Sequence, residues 1–190
     1  MKIGVSGVGG SFSEEAARTY VKKWLKNKRF SIEYLVSAEN VLNAIEDDAI
    51  DLGIFPIENS NGGIVIEAVY AMAKHRFAVK KIFEIDVHQN LMATNGIRAK
   101  DIKTIASHDQ ALKQCRMYLK RTWPRVKWQE YPDTAKAAKD LASGVLPKTT
   151  AVIASRAAAP LYKLAILEES IQDLKFNYTS FVAAHRIDSK

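Results

Sequence analysis

One cysteine, Cys115, is present in the 190 residues, so no internal disulfide can form, and the chain suits a reducing cytoplasm. Long apolar runs are missing too: nothing approaches the ~18 uninterrupted apolar residues of a membrane span. The opening Met1-Lys2-Ile3-Gly4-Val5 enters a strand-like segment at once, without the apolar stretch and small-residue cleavage site of an export signal. Glycine is sparse, and the Gly7-Val8-Gly9-Gly10 loop fits neither the dinucleotide fingerprint nor the Gly-Lys-Ser/Thr phosphate loop. His75, His88, His108 and His185 lack paired-ligand spacing, which argues against a metal site. Ser107, His108 and Asp109 are adjacent on one turn and cannot form a relay triad. Cys115 itself, within a helical pattern, reads as an inert, half-buried packing thiol.

What is present is ordinary globular material, 47% hydrophobic and 26% charged, with a net charge of +7. The surplus favours anionic partners. The basic residues are spread over Lys22 to Lys28, Lys80-Lys81, Lys113 to Arg125 and Lys163, without helix-turn-helix or zinc-finger spacing. They read as solvated helix faces rather than a nucleic-acid surface.

Short apolar runs alternate with amphipathic ones, the pattern of a parallel α/β sheet. Strands are predicted at Ile3 to Ser6, Ser31 to Val36 and Asp51 to Ile57, with helices at Glu14 to Leu25, Asn40 to Glu46 and Ile64 to His75. Val79 to Thr94 reads as one extended stretch. A second cycle has strands at Ile102 to Ala106, Lys127 to Tyr131 and Thr150 to Ala154. Its helices are Gln110 to Arg121, Ala135 to Ser143 and a stretch beginning near Ser155; Phe176 to His185 closes the chain as a strand. If that last strand returns to the first lobe, lobe 1 spans about 1–84 plus 173–190 and lobe 2 about 85–172, with a ligand cleft between them.

Several strands end in a small polar residue that opens a helix. Ser11-x-x-Glu14 and Ser107-x-x-Gln110 have capping-box spacing; Asp133-Thr134 and Ser155 stand at similar turns. Such turns expose backbone N–H groups suited to a carboxylate, although capping alone explains any one of them. Ser107, Gln110 and Gln114 fall on one helix face, a neutral hydrogen-bonding surface.

These segments resemble the prephenate dehydratase family. Pro56-Ile57-Glu58-Asn59-Ser60 with Gly62-Gly63-Ile64-Val65 is similar to one signature, and Ser107-His108-x-Gln110-Ala111-Leu112-x-Gln114-Cys115 to a second. Asp133-Thr134-Ala135, Ala154-Ser155 and Asn177-x-Thr179-x-Phe181 follow in the family's order, and Gly7 to Ser13 is similar to its opening, with Val8 for Pro and Ser11 for Thr. The resemblance runs from residue 3 to about 184. It implies two α/β lobes like type II periplasmic binding proteins, a homodimer or higher homo-oligomer, and no metal or organic cofactor. It further implies decarboxylating dehydration of prephenate to phenylpyruvate in phenylalanine biosynthesis. Asn59, Ser107, Gln114 and Thr179 would be the catalytic contacts. Glu58, Ser60, Ser11, His108, Gln110, Thr134, Ser155, Asn177 and Phe181 would bind substrate or line the site. Family members often add an ACT or a chorismate mutase domain; neither is expected within these 190 residues, nor is feedback by phenylalanine through them.

One position departs from the pattern. Where the family has Thr-Arg-Phe, this sequence has Thr179-Ser180-Phe181, losing a cation that could bind a carboxylate in a bidentate pair. Arg156 and Arg186 are candidate replacements. Arogenate dehydration, another conversion of prephenate, or a ligand-binding module without turnover are the alternatives that the change keeps open.

Overall fold

The computed structural model describes residues 1–26 and 28–187; residues 27 and 188–190, the last of them within the expected first lobe, lie outside the described residues. It has a mixed α/β fold with two sheets. The chain divides into two compact units: residues 1–8, 12–86 and 178–190 form one, and residues 9–11 and 87–177 the other.

In the first unit the sheet is built from β1 (Lys2–Val5), β2 (Ser31–Tyr34), β3 (Leu52–Asn59), β4 (Gly63–Ile64), β5 (Ala78–Asp86) and β11 (Tyr178–His185). Its order is β2-β1-β3-β11-β5, with β4 hairpinned onto β3. β1 pairs in parallel with β2 and β3, each reached through a helix: α1 (Phe12–Trp24) and α2 (Ala38–Glu46). β11 inserts antiparallel between β3 and β5, as its almost continuous apolar run Phe181-Val182-Ala183-Ala184 requires of a strand covered on both faces. A helix, α3 (Ile66–Lys74), packs beside α2. The core gathers Val41, Leu42, Ile45, Phe55, Ala68 and Val182.

The second unit has its own sheet, in the order β10-β6-β9-β7-β8. Its strands are β6 (Asn90–Thr94), β7 (Thr104–Ser107), β8 (Lys127–Glu130), β9 (Thr150–Ala154) and β10 (Leu164–Glu168). Along β9 the side chains alternate between two cores. Ala151 and Ile153 join Leu91, Ile105 and Leu119 on one face, while Val152 and Ala154 join Met92, Ala106 and Leu141 on the other. The helices are α4 (Asp109–Gln114), α5 (Arg116–Thr122), α6 (Thr134–Ala142) and the short α7 (Ala158–Tyr162).

Five expectations need correction. Val79 to Thr94 is two strands in different sheets, because the non-strand run Val87-His88-Gln89 carries the chain from one unit to the other. The units change at 86/87 and 177/178, beyond the expected 84/85 and 172/173, because the ladder between β5 and β11 continues to the pair Asp86–Tyr178. The predicted helix Gln110 to Arg121 breaks at Cys115, where Asp173 accepts from the backbone of Met117 (2.7 Å) and Tyr118 (2.8 Å) and so starts a second helix. The stretch after Ser155 forms only one short helix before β10, a strand that the periodicity did not reveal. Cys115 is fully buried rather than half-buried, and that burial pushes its thiol well above the ordinary range.

Gly10 is one position that demands glycine. Its φ of +78° lies in the left-handed region, and a Cβ there would sit 3.1 Å from the Ala158 Cα. The loop is held by Tyr162 of α7, whose Oη donates to the Gly9 carbonyl (2.7 Å), and by Ser155 ahead of that helix, whose Oγ donates to the Gly10 carbonyl (2.6 Å). Gly9 to Ser11 therefore belong with the second unit although the strand before them belongs to the first.

Candidate active site

Two hydrogen-bonded clusters, one within each unit, take in five of the thirteen expected site residues. In the first unit the β3–β11 register sets Thr179 beside Asn59. Asn59 Nδ2 donates to Thr179 Oγ1 (2.9 Å) and to the Tyr178 carbonyl (3.2 Å). Its Oδ1 accepts from the backbone N–H of Asn61 (2.9 Å) and Gly62 (2.8 Å), which fixes the amide orientation. With Oγ1 accepting from Asn59, the Thr179 proton is the part of the hydroxyl left to donate. Ser60 completes the corner: its N–H donates to the Tyr178 carbonyl (2.8 Å) and its Oγ accepts from the Tyr178 N–H (3.0 Å).

In the second unit Gln114 Oε1 accepts two donors, Gln89 Nε2 (2.9 Å) and Asn177 Nδ2 (3.0 Å). Asn177 is wholly buried and also donates to the Val87 carbonyl (3.0 Å), so its amide cannot be reversed without losing both bonds. The consequence falls on Gln114: its oxygen accepts both donors, which fixes the amide orientation and leaves Nε2 as its donor end. Asp173 buttresses it by donating its N–H to the Gln114 carbonyl (2.8 Å). Both clusters are neutral, built from amides and a hydroxyl.

Gln89 was missed by sequence reasoning. It is 4% exposed, and its Oε1 is buried without a hydrogen-bond partner among the described residues. The available signal was the run of polar residues interrupting an otherwise apolar extended stretch. Periodicity could mark the interruption but not the partner.

Other expected residues are occupied differently. Ser107 is fully buried, and its hydroxyl donates to the Ile153 carbonyl (2.7 Å), tying β7 to β9. The cap of α4 is His108, whose Nδ1 accepts from the Gln110 N–H (3.3 Å), so the expected Ser107 box is displaced by one residue. Gln110 is partly buried on that first turn. Phe181 does not line a site: it is 1% exposed and stacks on Phe83 at 6.0 Å. Thr134 is the first residue of α6, which Asp133 caps. Ser155 is spent on the Gly10 loop, and Ser11 is buried at the end of that loop. The Glu14 carboxylate takes Arg18 (2.6 Å) and the Tyr34 hydroxyl (3.0 Å).

Ser180 points away from Thr179, as neighbouring strand residues must. Its lateral partners are Glu58 and Glu84, and its Oγ donates to Glu84 Oε1 (3.4 Å). Neither arginine considered as a replacement serves here: Arg156 pairs with Glu169 (3.0 Å) and Arg186 with Asp48 (3.5 Å).

A family model described as prephenate dehydratase matches residues 3–188. The chain belongs to the prephenate dehydratase family. A relative named arogenate dehydratase/prephenate dehydratase 6, from Arabidopsis thaliana, is 33% identical over 188 residues, covering 98% of this chain and 43% of its own length. The chain thus spans well under half of that plant relative. The crystal structure of prephenate dehydratase from Arthrobacter aurescens, in complex with L-Phe, superposes with a TM-score of 0.88 at 23% identity, over 100% of this chain and 61% of that one. A periplasmic substrate-binding protein of an ABC transporter from Coxiella burnetii shares the fold more distantly, with a TM-score of 0.50 at 12% identity over 96% of this chain and 84% of that one. The fold is therefore that of prephenate dehydratases and is like that of type II periplasmic binding proteins. Among the described residues no helix is long and apolar enough to cross a membrane, and no three His, Cys, Asp or Glu are gathered to hold a metal.

Proposed function

We propose that this chain catalyses the decarboxylating dehydration of prephenate to phenylpyruvate, the lyase reaction that leads toward phenylalanine. The observation that carries the reading is the Asn59–Thr179 pair, in which an amide fixes a threonine hydroxyl so that its proton is available to a ligand. Family membership supports it. In the reaction the ring carboxylate leaves as CO2, its bonding electrons enter the ring, and the C–O bond at the far ring carbon breaks. The hydroxide takes up one proton and departs as water, so prephenate and a proton give phenylpyruvate, CO2 and water.

Aromatisation supplies the driving force, so the residues need only orient the dianion and ease the departure of hydroxide. Thr179 serves as the hydrogen-bond donor to the leaving oxygen; a free threonine is too weak an acid to give up its proton outright. Asn59 is the positioning residue for that hydroxyl. Gln114 Nε2 holds a carboxylate or hydroxyl of the substrate, and Asn177 and Gln89 position Gln114. The neutral surround is an advantage, because a strong cation on the departing carboxylate would hold back its loss. Ser107 acts indirectly, by holding the strand that leads into α4.

Arogenate is the second reading, favoured by the Arabidopsis relative, whose name carries both activities. Purified chain is incubated in parallel with prephenate and with arogenate, and phenylpyruvate and phenylalanine are followed. Phenylpyruvate from prephenate is expected; phenylalanine alone moves the assignment to arogenate, and binding with no product from either sinks the enzymatic reading. A cytoplasmic homodimer or higher homo-oligomer belongs to the same proposal, supported by the family resemblance and by the single buried thiol. Sedimentation of the purified chain tests the assembly.

A further inference from the structure

The site clusters leave one chemically distinctive part of the second unit unused. From Lys113 to Lys127 the chain carries Lys113, Arg116, Lys120, Arg121, Arg125 and Lys127 without a single Asp or Glu. Sequence alone spreads these over solvated helix faces, but the fold gathers some of them. Asp109, Leu112 and Lys113 of α4 and Arg116 and Lys120 of α5 line one cavity together. Trp128 and Glu130 alternate onto one face of β8, the edge strand of the sheet. Both also line that cavity, which measures about 310 Å³. An adjoining one of about 220 Å³ shares Lys120 and Trp128 and adds Trp123, Pro124 and Val126.

The charges on the larger cavity do not cancel. Lys113 is held by Asp109 at 2.5 Å. Arg116 and Lys120 have no ion pair among the described residues, and their cavity is also lined by the exposed Trp128 and the buried Leu112. Three cations, Lys113, Arg116 and Lys120, stand against two carboxylates, Asp109 and Glu130, a surplus of one positive charge. A single surplus charge suits one carboxylate. A polyphosphate or nucleic-acid backbone would meet Asp109 and Glu130 as repulsion. The guanidinium fork of Arg116 matches a carboxylate in a bidentate pair, and an exposed indole face accepts a flat ring.

We propose that this groove is a second ligand site, selective for a planar aromatic monocarboxylate. It is separate from the residues assigned to turnover and stands whether or not the dehydratase reading holds.

The test follows the tryptophan indole N–H signals by NMR in ¹⁵N-labelled protein. Trp128→Phe identifies the signal of Trp128 among the three tryptophans. Titration with phenylacetate is expected to move that signal saturably, with a Kd of ~1 mM or tighter, about −4 kcal/mol. Arg116→Gln combined with Lys120→Gln should weaken binding by ~10-fold or more, since hydrogen bonds to charged groups are lost, with an unchanged unfolding midpoint. Thr179→Ala should leave the titration as it is. The proposal is overturned if the Trp128 signal does not move, or if sulfate or cyclohexylacetate move it with equal affinity. It is equally overturned if the response disappears in Thr179→Ala, or if a single-stranded oligonucleotide displaces phenylacetate at physiological salt.

Discussion

Replacing Thr179 by valine removes one oxygen and keeps the shape, which makes it a sharp probe of the proposed chemistry. Thr179 is 9% exposed, lies in the interior strand β11, and makes one side-chain hydrogen bond, received from Asn59. After the change Asn59 Nδ2 keeps the Tyr178 carbonyl and Oδ1 keeps two backbone donors, so the corner survives. One net hydrogen bond is worth about 1 kcal/mol. For a chain of this size, a loss of 1 kcal/mol lowers Tm by roughly 2–4 °C. The kinetic loss is of another order: removing a donor aimed at developing negative charge costs roughly 100- to 1,000-fold in kcat, about 3–4 kcal/mol. Prephenate turnover, followed by phenylpyruvate release, and thermal unfolding on the same sample separate the two effects. Asn59→Leu cannot do so, because it deletes four hydrogen bonds at once. Turnover of Thr179→Val within threefold of the parent would refute the donor role.

Other perturbations probe different parts of the molecule. Gln114→Glu retains an acceptor for Gln89 and Asn177 but loses the Nε2 donor and places an anion beside a dianionic substrate; kcat/KM should fall by ~100-fold or more with unfolding little changed. Gly53→Ala would put a Cβ 2.5 Å from Val41 Cγ1 and 2.7 Å from Ile45 Cδ1 in a buried core, so the unfolding free energy should drop by about 1–3 kcal/mol in denaturant melts. His75 sits between Glu46 (2.8 Å) and Glu39 (3.3 Å), and the hydrogen bond to Glu46 is the main reason its pKa is raised. A raised folded pKa gives stability that is complete below the unfolded value of about 6.5 and is lost as pH rises through the folded value. Melts across that interval should therefore show falling stability, and His75→Gln should flatten the slope.

Some of this was legible in the sequence because it depends on local chemistry. The alternation of apolar runs predicted the order of most elements, and the signatures around Asn59, Gln114 and Thr179 marked residues that the structure places in hydrogen-bonded clusters. Three things were not legible. Whether a buried hydroxyl serves a ligand or the backbone depends on what lies across the sheet, so Ser107 and Ser155 looked like turn residues open to a ligand while each donates to a carbonyl of another segment. The break between α4 and α5 is imposed by Asp173, more than fifty residues later in the chain. Gln89 carries no pattern of its own; its importance comes from Gln114, which needs donors on its oxygen to aim its nitrogen.

Position 180 follows from the same register. The ladder that sets Thr179 beside Asn59 and Ile85 sets Ser180 beside Glu58 and Glu84, so the family arginine would stand between two carboxylates on the opposite face of the strand from the proposed catalytic hydroxyl. Its loss therefore removes a neutralising charge from an acidic pair rather than a direct grip on the substrate. Ser180→Arg should restore that neutralisation. Exposed ion pairs contribute only ~0.2–1 kcal/mol each, so a rise in the unfolding free energy of about 1 kcal/mol is the expected scale, diminishing with added salt. Turnover should change far less than in Thr179→Val, because the donor and its amide partner are untouched. A gain in prephenate kcat/KM of tenfold or more, with KM carrying the change, would mean that the face bearing Glu58 meets the substrate carboxylate. The division of β11 into a catalytic face and an electrostatic one would then be wrong.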